Sequence, residues 1–556
     1  MGFHIRFLPE DRSTVSDGPI DLFLAAALCD IWTEQPCGAR TVCAKCRVRV
    51  VDGAAGVTSA DARLLTVAEI ADGWRLGCQL TLDADVTLAI PPQTRSTAAK
   101  SFGDESLFAD GIVPNAEAHV GSSVPAANGE SREPADPAFG VAVDIGSTTL
   151  AAALVDLTTG RVAGTTSRVN PQVRFGADVI SRIHFAGEHA DGNAHLHAVV
   201  TEAIGEMIAD LAGQGGVATG RVVAVACAGN ATMTHAAVGA DITPLGQAPY
   251  EGSFTDERRV PSRELGWPGH RDAVAWFLPM VGHHVGGDTV AAVLACGIDR
   301  AEEWQLLIDL GTNTEVVLGC RRALIATSTA AGPAFEGANI EHGMRAAPGA
   351  IDRVRVLGDG RLIVGTVANQ PSRGICGSGL IDAVAELHRA GVVATSGYMR
   401  SRAECEAAGV ARRLCERVVE SPGGARHVLL DAEVTLTAQD VRQLQLVKGS
   451  IAAGIALVVR HAGVGVEELD AVHIAGTFGS FVRKASAQAI GLVPAVDPER
   501  VHFVGNAAGV GARMVLVDAR ARQRAKDIAE RCEYLELAGH VGYEDAFCAA
   551  IPFVED

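Results

Sequence analysis

Ten residues near the N-terminus, from Cys37 to Cys46, carry three thiols, at Cys37, Cys43 and Cys46, and a fourth follows at Cys78. The spacing C-x5-C-x2-C-x31-C places three ligands on one loop and brings the last from a distant strand. The chain must fold back so that Cys78 meets the loop, which is how a protein holds a [2Fe-2S] cluster by four thiolates. Four thiolates leave no coordination position for substrate, so such a centre moves single electrons. The competing reading is a closed four-cysteine zinc site, whose ligands usually come as two close pairs. Here three sit together.

The surrounding segments fit a small α+β domain over residues 1–90. His4 to Leu8 alternates, Asp21 to Ile31 is helix-like, Cys46 to Val50 alternates with the period of a half-buried strand, and Trp74 to Ile90 supplies more strand. Cys29, inside the helix-like stretch, reads as a packed thiol. Plant-type ferredoxins carry four residues between the first two ligands. Five stand here, and the pattern resembles the adrenodoxin-like branch of the ferredoxins, which implies a β-grasp fold. Residues 91–138 change character: Pro91-Pro92, Gly121-Ser122-Ser123 and Glu133-Pro134-Ala135-Asp136-Pro137 frame a stretch of Ala, Ser, Gly, Pro and acids. It buries too little apolar surface to offset its ordering entropy, so a flexible linker is expected. Its reach is on the order of 35 to 40 Å.

At 556 residues the chain exceeds one core. The 66 acidic against 47 basic side chains give a formal net charge of -19. Nucleic-acid binding, which rests on neutralising phosphate, is disfavoured. No uninterrupted apolar run reaches the roughly 18 residues that span a bilayer, so no membrane role is expected. No signal-peptide pattern opens the chain, and its 13 cysteines therefore point to reduced thiols and a cytoplasmic location.

From Phe139 onward, apolar strands alternate with helical stretches, as in α/β domains. Two sequences echo each other. Val141 to Asp144 is an apolar strand ending in Asp, followed by Ile145-Gly146-Ser147-Thr148-Thr149; Leu306 to Asp309 repeats the design, followed by Leu310-Gly311-Thr312-Asn313-Thr314. Each pairs a terminal Asp with a glycine that lets backbone approach phosphate and with hydroxyl donors. One such turn is weak evidence. The pair resembles the phosphate loops of the superfamily of acetate and sugar kinases, Hsc70 and actin, in which two ribonuclease-H-like halves close on ATP. Val472 to Ser480, a strand running into Gly476 and Gly479, looks like that superfamily's adenosine motif. The resemblance implies that Asp144 and Asp309 hold Mg2+, and that Ser147, Thr148, Thr149, Thr312 and Asn313 contact phosphate. The halves are expected at residues 139–300 and 301–556.

Further glycine- and hydroxyl-rich runs suit loops near a ligand: Gly229 to Met233, Ser328 to Gly337 with Gly332, and Gly374 to Gly379 with Gly377 and Ser378. Glu315 and Glu336 are candidates for orienting a hydrolytic water, with a solvated or capping role as the alternative. His283-His284 reads poorly as a metal pair, because adjacent residues on a strand point apart. Cys227, Cys296, Cys320 and Cys376 read as buried thiols, and Asn506 to Ala512 as packing.

A cluster domain, a linker and an ATP-binding fold in this order resemble the reductive activators of corrinoid proteins. Asn170-Pro171-Gln172, Gly176 to Arg182, Ser328 to Gly337, Gly374 to Asp382, Leu444 to Gly449 and Val504 to Ala508 carry the likeness. In the cluster loop Ala39, Thr41 and Ala44 stand where the family usually has glycine. The resemblance implies transfer of one electron to Co(II) of an inactivated corrinoid protein or cobalamin-dependent methyltransferase, restoring Co(I) while ATP is hydrolysed. It implies an upstream electron donor that the sequence does not name, and the family favours a homodimer. Alternatives from other classes are a ferredoxin-tethered small-molecule kinase and a redox-sensing ATPase that reduces no cobalt.

Overall fold

The computed structural model describes residues 2–9, 11–22, 25–26, 29, 31, 46–91, 138–176, 178–311, 313–337, 339–476 and 482–555. Cys37 and Cys43, the loop positions Ala39, Thr41 and Ala44, almost all of the expected linker, Thr312 and Gly479 lie outside the described residues.

The N-terminal domain is a mixed five-stranded sheet. Its strands are β1 (Phe3–Leu8), β2 (Arg12–Ser16), β3 (Arg47–Gly53), β4 (Trp74–Leu76) and β5 (Val86–Ala89), in the order β2-β1-β5-β3-β4. First and last strands run parallel at its centre, the β-grasp arrangement. Ile5, Phe7, Val48 and Leu88 are fully buried on its inner face, alternating with exposed neighbours as a half-buried strand requires. The expected helix begins only after Asp21, which is spent as the strand partner of Thr81; Leu22, Ala25 and Ala26 then pack into the core. Cys29 joins that core, 5% exposed.

Two six-stranded sheets follow. The first contains β6 (Phe139–Ile145), β7 (Thr149–Asp156), β8 (Val162–Val169), β9 (Val222–Gly229), β10 (Arg258–Pro261) and β11 (Val274–Phe277), ordered β8-β7-β6-β9-β11-β10. The second contains β12 (Gln305–Asp309), β13 (Thr314–Cys320), β14 (Ala323–Thr329), β15 (Ala471–Ala475), β16 (Val501–Gly505) and β17 (Cys532–Tyr534), ordered β16-β15-β12-β13-β14-β17. In each, three antiparallel strands lead, and two further strands add in parallel beside the first. This shared 3-2-1-4-5 order makes the two units topological copies, as expected of ribonuclease-H-like halves.

The helices that position the site are α1 (Val179–Glu188), α2 (Gly287–Cys296), α3 (Gly377–Arg389), α4 (Ala438–Ala462) and α5 (Ala507–Val517). Helices α2 and α5 share one core with Ala142 and Ala226 of the first sheet and Leu307, Val317 and Ala475 of the second. Small residues let the two helices meet closely: a Cβ on Gly511 would stand 2.0 Å from the Ala291 carbonyl oxygen. The low aromatic content fits this alanine-lined joint. Helix α4 is apolar enough by length and composition to cross a membrane, yet 72% of its apolar window is buried inside the protein.

Candidate functional site

In the two six-stranded sheets the parallel strands converge at their carboxyl ends, where open α/β sheets bind ligands. Asp144 is the last residue but one of β6, while Gly229 ends β9, Asp309 ends β12, Ala475 ends β15 and Gly505 ends β16. Glycine at three of the turns is demanded by space. A Cβ on Gly146 would lie 2.5 Å from the Thr149 carbonyl oxygen, and one on Gly311 2.9 Å from that of Asn313. Gly476, at φ +95, closes onto the second loop so tightly that a Cβ would meet the Leu310 carbonyl oxygen at 2.3 Å and Asp309 Oδ1 at 3.2 Å.

The first loop is held from behind. Asn170 Nδ2 donates to the Gly146 carbonyl at 2.9 Å, and Arg182 donates to the Ser147 carbonyl. In a trans peptide the N–H points opposite the C=O, so the amides of Ser147 and Thr148 face forward, into the cleft. Asn230 caps the helix Ala231–Ala237 by accepting from Met233 N at 3.0 Å, which fixes its amide and leaves Nδ2 to donate to Ser147 Oγ at 2.9 Å. The Ser147 hydroxyl therefore keeps its own hydrogen for a ligand. Thr148 Oγ1 is buried and has no hydrogen-bond partner. A buried orphan hydroxyl is costly unless something completes it, and a phosphate oxygen has that chemistry. Thr149 closes the turn by accepting from Gly146 N at 3.1 Å.

The second loop is acidic. Asp309 and Glu315 are register partners on adjacent antiparallel strands, so both side chains stand on one face. Asp288, in the first turn of α2, reaches the same cluster. Burial, then the charges of Asp288 and Asp144, push the Asp309 carboxyl up to about 7. Burial also lifts Asp288 to about 6. Glu315 is raised well above its ordinary range by burial and then by Asp288 and Asp309, while Ser328 Oγ donates to its Oε1 at 3.2 Å and partly opposes the shift. Asn506 caps α5 through Gly509 N at 2.7 Å and donates from Nδ2 to Asp144 Oδ2 at 2.8 Å. Among the described residues no three His, Cys, Asp or Glu side chains converge closely enough to chelate a metal directly.

Glu336 lies in the turn Pro333–Glu336 of the second half and acts electrostatically on Arg182 of the first. Gly332, at φ +89, has open space where a Cβ would stand, as a cleft loop should. Gly377 and Ser378, expected to border the nucleotide, open α3 in close-packed surroundings. A Cβ on Gly377 would sit 2.4 Å from the Phe335 carbonyl oxygen, and Ser378 is 3% exposed with its hydroxyl 3.4 Å from Cys376 Sγ. Their glycine-rich run is close packing beneath the Glu336 turn.

Asn506 is the reverse case, expected to pack and found on Asp144. Its signal was available: Gly229-Asn230-Ala231 and Gly505-Asn506-Ala507 are the same strand-end cap. Asp288, beside the second loop, and Arg182, buried behind the first, are further residues of the site that the sequence did not single out. His283 and His284 are occupied separately, Nδ1 of the first accepting from Gly252 N at 3.1 Å and the second stacking on Tyr534. Cys227, Cys320 and Cys376 are buried as expected, whereas Cys296 is only half-buried.

Of the four candidate cluster ligands, two are described and lie together. Arg47 pairs with Leu76 across β3 and β4, and Gly77 N donates to the Cys46 carbonyl at 2.8 Å, so Cys46 and the Cys78 turn are neighbours. The Asp61 carboxylate, fully buried, fixes that turn by accepting from Leu76 N at 2.6 Å and Thr58 N at 2.7 Å. Cys46 and Cys78 pack in one cluster, and thiols are the right donors for an iron-sulfur centre.

Comparison with known proteins agrees with this layout. Residues 8–83 match the 2Fe-2S iron-sulfur cluster binding domain, residues 139–301 the RACo middle region, and residues 303–556 the C-terminal domain of RACo, the ASKHA domain. The corrinoid activation enzyme RamQ of Eubacterium limosum is 32% identical over 420 residues, 73% of this chain and 69% of that protein. The [Co(II) methylated amine-specific corrinoid protein] reductase of Methanosarcina barkeri is 24% identical over 412 residues, 69% of this chain and 71% of that one. A solved reductive activator for a corrinoid, iron-sulfur protein superposes with a TM-score of 0.68 at 31% identity, covering 99% of this chain and 98% of that one. Carrying the cluster-binding domain and both RACo regions in the same order, the chain belongs to the RACo family of corrinoid reductive activators.

Proposed function

We propose that this chain passes one electron from a [2Fe-2S] cluster on its N-terminal domain to Co(II) of an inactivated corrinoid protein or cobalamin-dependent methyltransferase, restoring Co(I), and that ATP hydrolysis in the cleft drives the transfer. The observation that carries the reading is the joint presence of a paired thiol site and a cleft with one amide-lined and one acidic loop. When bound, the cluster supplies the electron and Mg-ATP the driving free energy.

The remaining work falls to the chain's own residues. Cys37, Cys43, Cys46 and Cys78 would hold the cluster. Ser147, Thr148, their amides, Thr312 and Asn313 would hold phosphate, while Gly476 and Gly479 leave room for the nucleoside. Asp144, Asp288 and Asp309 would hold Mg2+ through its water, since such an ion typically keeps several waters and takes one or two carboxylates. With positive charge among them the carboxyls ionise, and Glu315, oriented by Ser328, can then take a proton from the attacking water.

Plant-type clusters lie near about -400 mV, and a more negative acceptor makes transfer uphill. A ligand shifts an equilibrium only by its differential affinity for the two states. ATP must therefore favour a state in which the corrinoid is easier to reduce. Helices α2 and α5 join both sheets in one core, so a closure of the halves would pivot about that joint.

Two variants separate the sites. Cys46→Ser should lose the cluster's visible absorption and all Co(I) formation yet keep ATP turnover. Asp309→Asn should keep the spectrum and lose both ATP turnover and Co(I). Full cobalt reduction by either variant contradicts the proposal.

A further inference from the structure

Arg182 is the largest fully buried side chain among the described residues, 0% exposed, and it stands behind the first loop. The sequence dictates its place. Asp178 caps α1 by accepting from Ser181 N at 2.8 Å, with Ser181 Oγ completing a capping box, and the helix then buries Arg182, Ile183 and Ala186 on one face. The guanidinium is spread over neutral acceptors: the Gly176 carbonyl at 3.0 Å, Gln172 Oε1 at 3.3 Å, Met233 Sδ at 3.2 Å and the Ser147 carbonyl. Among the described residues no carboxylate lies within ion-pair distance of it. Burial lowers its pKa to about 10, with Asp178 and Glu336 opposing from farther away, so it stays charged at neutral pH.

A buried charge paired only with neutral groups is expensive, and truncation of such a site is strongly felt. Replacement by an apolar side chain would fill the same space more cheaply if shape were all that mattered. The cation has one use that its neighbours make plain: it fixes the peptide whose amide faces the cleft, and it sets positive potential behind the orphan Thr148 hydroxyl.

We propose that Arg182 is a positioning residue for the nucleotide's phosphates, holding the Ser147–Thr148 peptide with its amide forward while its charge, in no direct ion pair with a described carboxylate, favours an anionic phosphate chain at the first loop. This rests on the nucleotide reading above. A fork that reaches three oxygens at once is an arginine property that a lysine point charge does not reproduce. The substrate preference that follows is for ligands with a long phosphate chain, ATP over ADP, and adenosine should be indifferent to residue 182.

The test is equilibrium binding of MgATP, MgADP and adenosine to the full chain and to Arg182→Lys and Arg182→Gln, with thermal melting of each. Loss of a charge-assisted hydrogen bond predicts MgATP weakened by about tenfold to a hundredfold. MgADP should weaken less, and adenosine affinity should hold within about twofold. If Arg182→Gln fails to fold, Arg182→Lys carries the same comparison. Unchanged MgATP affinity in the folded variants, or an equal fall for all three ligands, overturns the role of Arg182 alone. Wild-type chain that binds no nucleotide overturns it together with the nucleotide reading.

Discussion

The two halves share a strand order and differ in charge where it matters. Opposite Asp144 in the first stands Ala151; opposite Asp309 in the second stands Glu315. Behind the first loop lies the Arg182 guanidinium, and the Gly146 and Ser147 carbonyls are tied back so that the following amides turn the other way. Before the second loop lies Asp288, and the carboxyls there hold their protons unusually strongly. Duplication of a fold thus supplies two glycine turns, and Arg182 behind one with Glu315 and Asp288 at the other makes their surroundings differ in charge.

Removing the position that separates the halves should give the largest effect. Glu315→Gln keeps the shape and hydrogen bonding of the side chain but not its basicity, so ATP turnover should fall by about a hundredfold to ten-thousandfold with MgATP affinity preserved. Phosphate release and equilibrium binding check this, and unchanged turnover would remove Glu315 from the chemistry. Making the halves alike in the other direction should cost less. Ala151→Glu sets a carboxylate beside Asp144 on the phosphate side, and like charge there should weaken MgATP by about tenfold; tighter binding would mean that the first loop is not the anion site.

The smallest effect is on stability. Asp309 and Asp288 titrate at about 7 and about 6 in the folded chain, against an ordinary value of 3.8. The folded state thus keeps protons that the unfolded state has released, and stability present at low pH is lost as pH rises through about 7. Asp309→Asn should gain on the wild type in nucleotide-free thermal melts as pH rises across that window. Parallel melting profiles would contradict the crowding of these carboxyls.

What could be read in the sequence was what is local. A strand with Asp at its end followed by a glycine turn is contiguous, so both glycine turns were legible, as were the strand contexts of Cys46 and Cys78. Asp288 was not, because it enters from the start of α2 and meets Asp309 only after the two sheets have packed on α2 and α5. Arg182 lay inside a motif that marked the family, but nothing in a linear pattern says that a guanidinium is buried. Gly377 shows a related limit: glycine permits close approach, and the sequence does not reveal the packing against the Phe335 carbonyl.

The most direct test of the account is anaerobic. The reduced full chain is mixed with a corrinoid protein in the Co(II) state, with and without Mg-ATP, and the Co(I) absorption band is followed in time. The account predicts that the band grows only when the cluster is intact and Mg-ATP is present. Co(I) formation at the same rate without ATP, or none at all despite a reducible cluster and active ATP turnover, would contradict it.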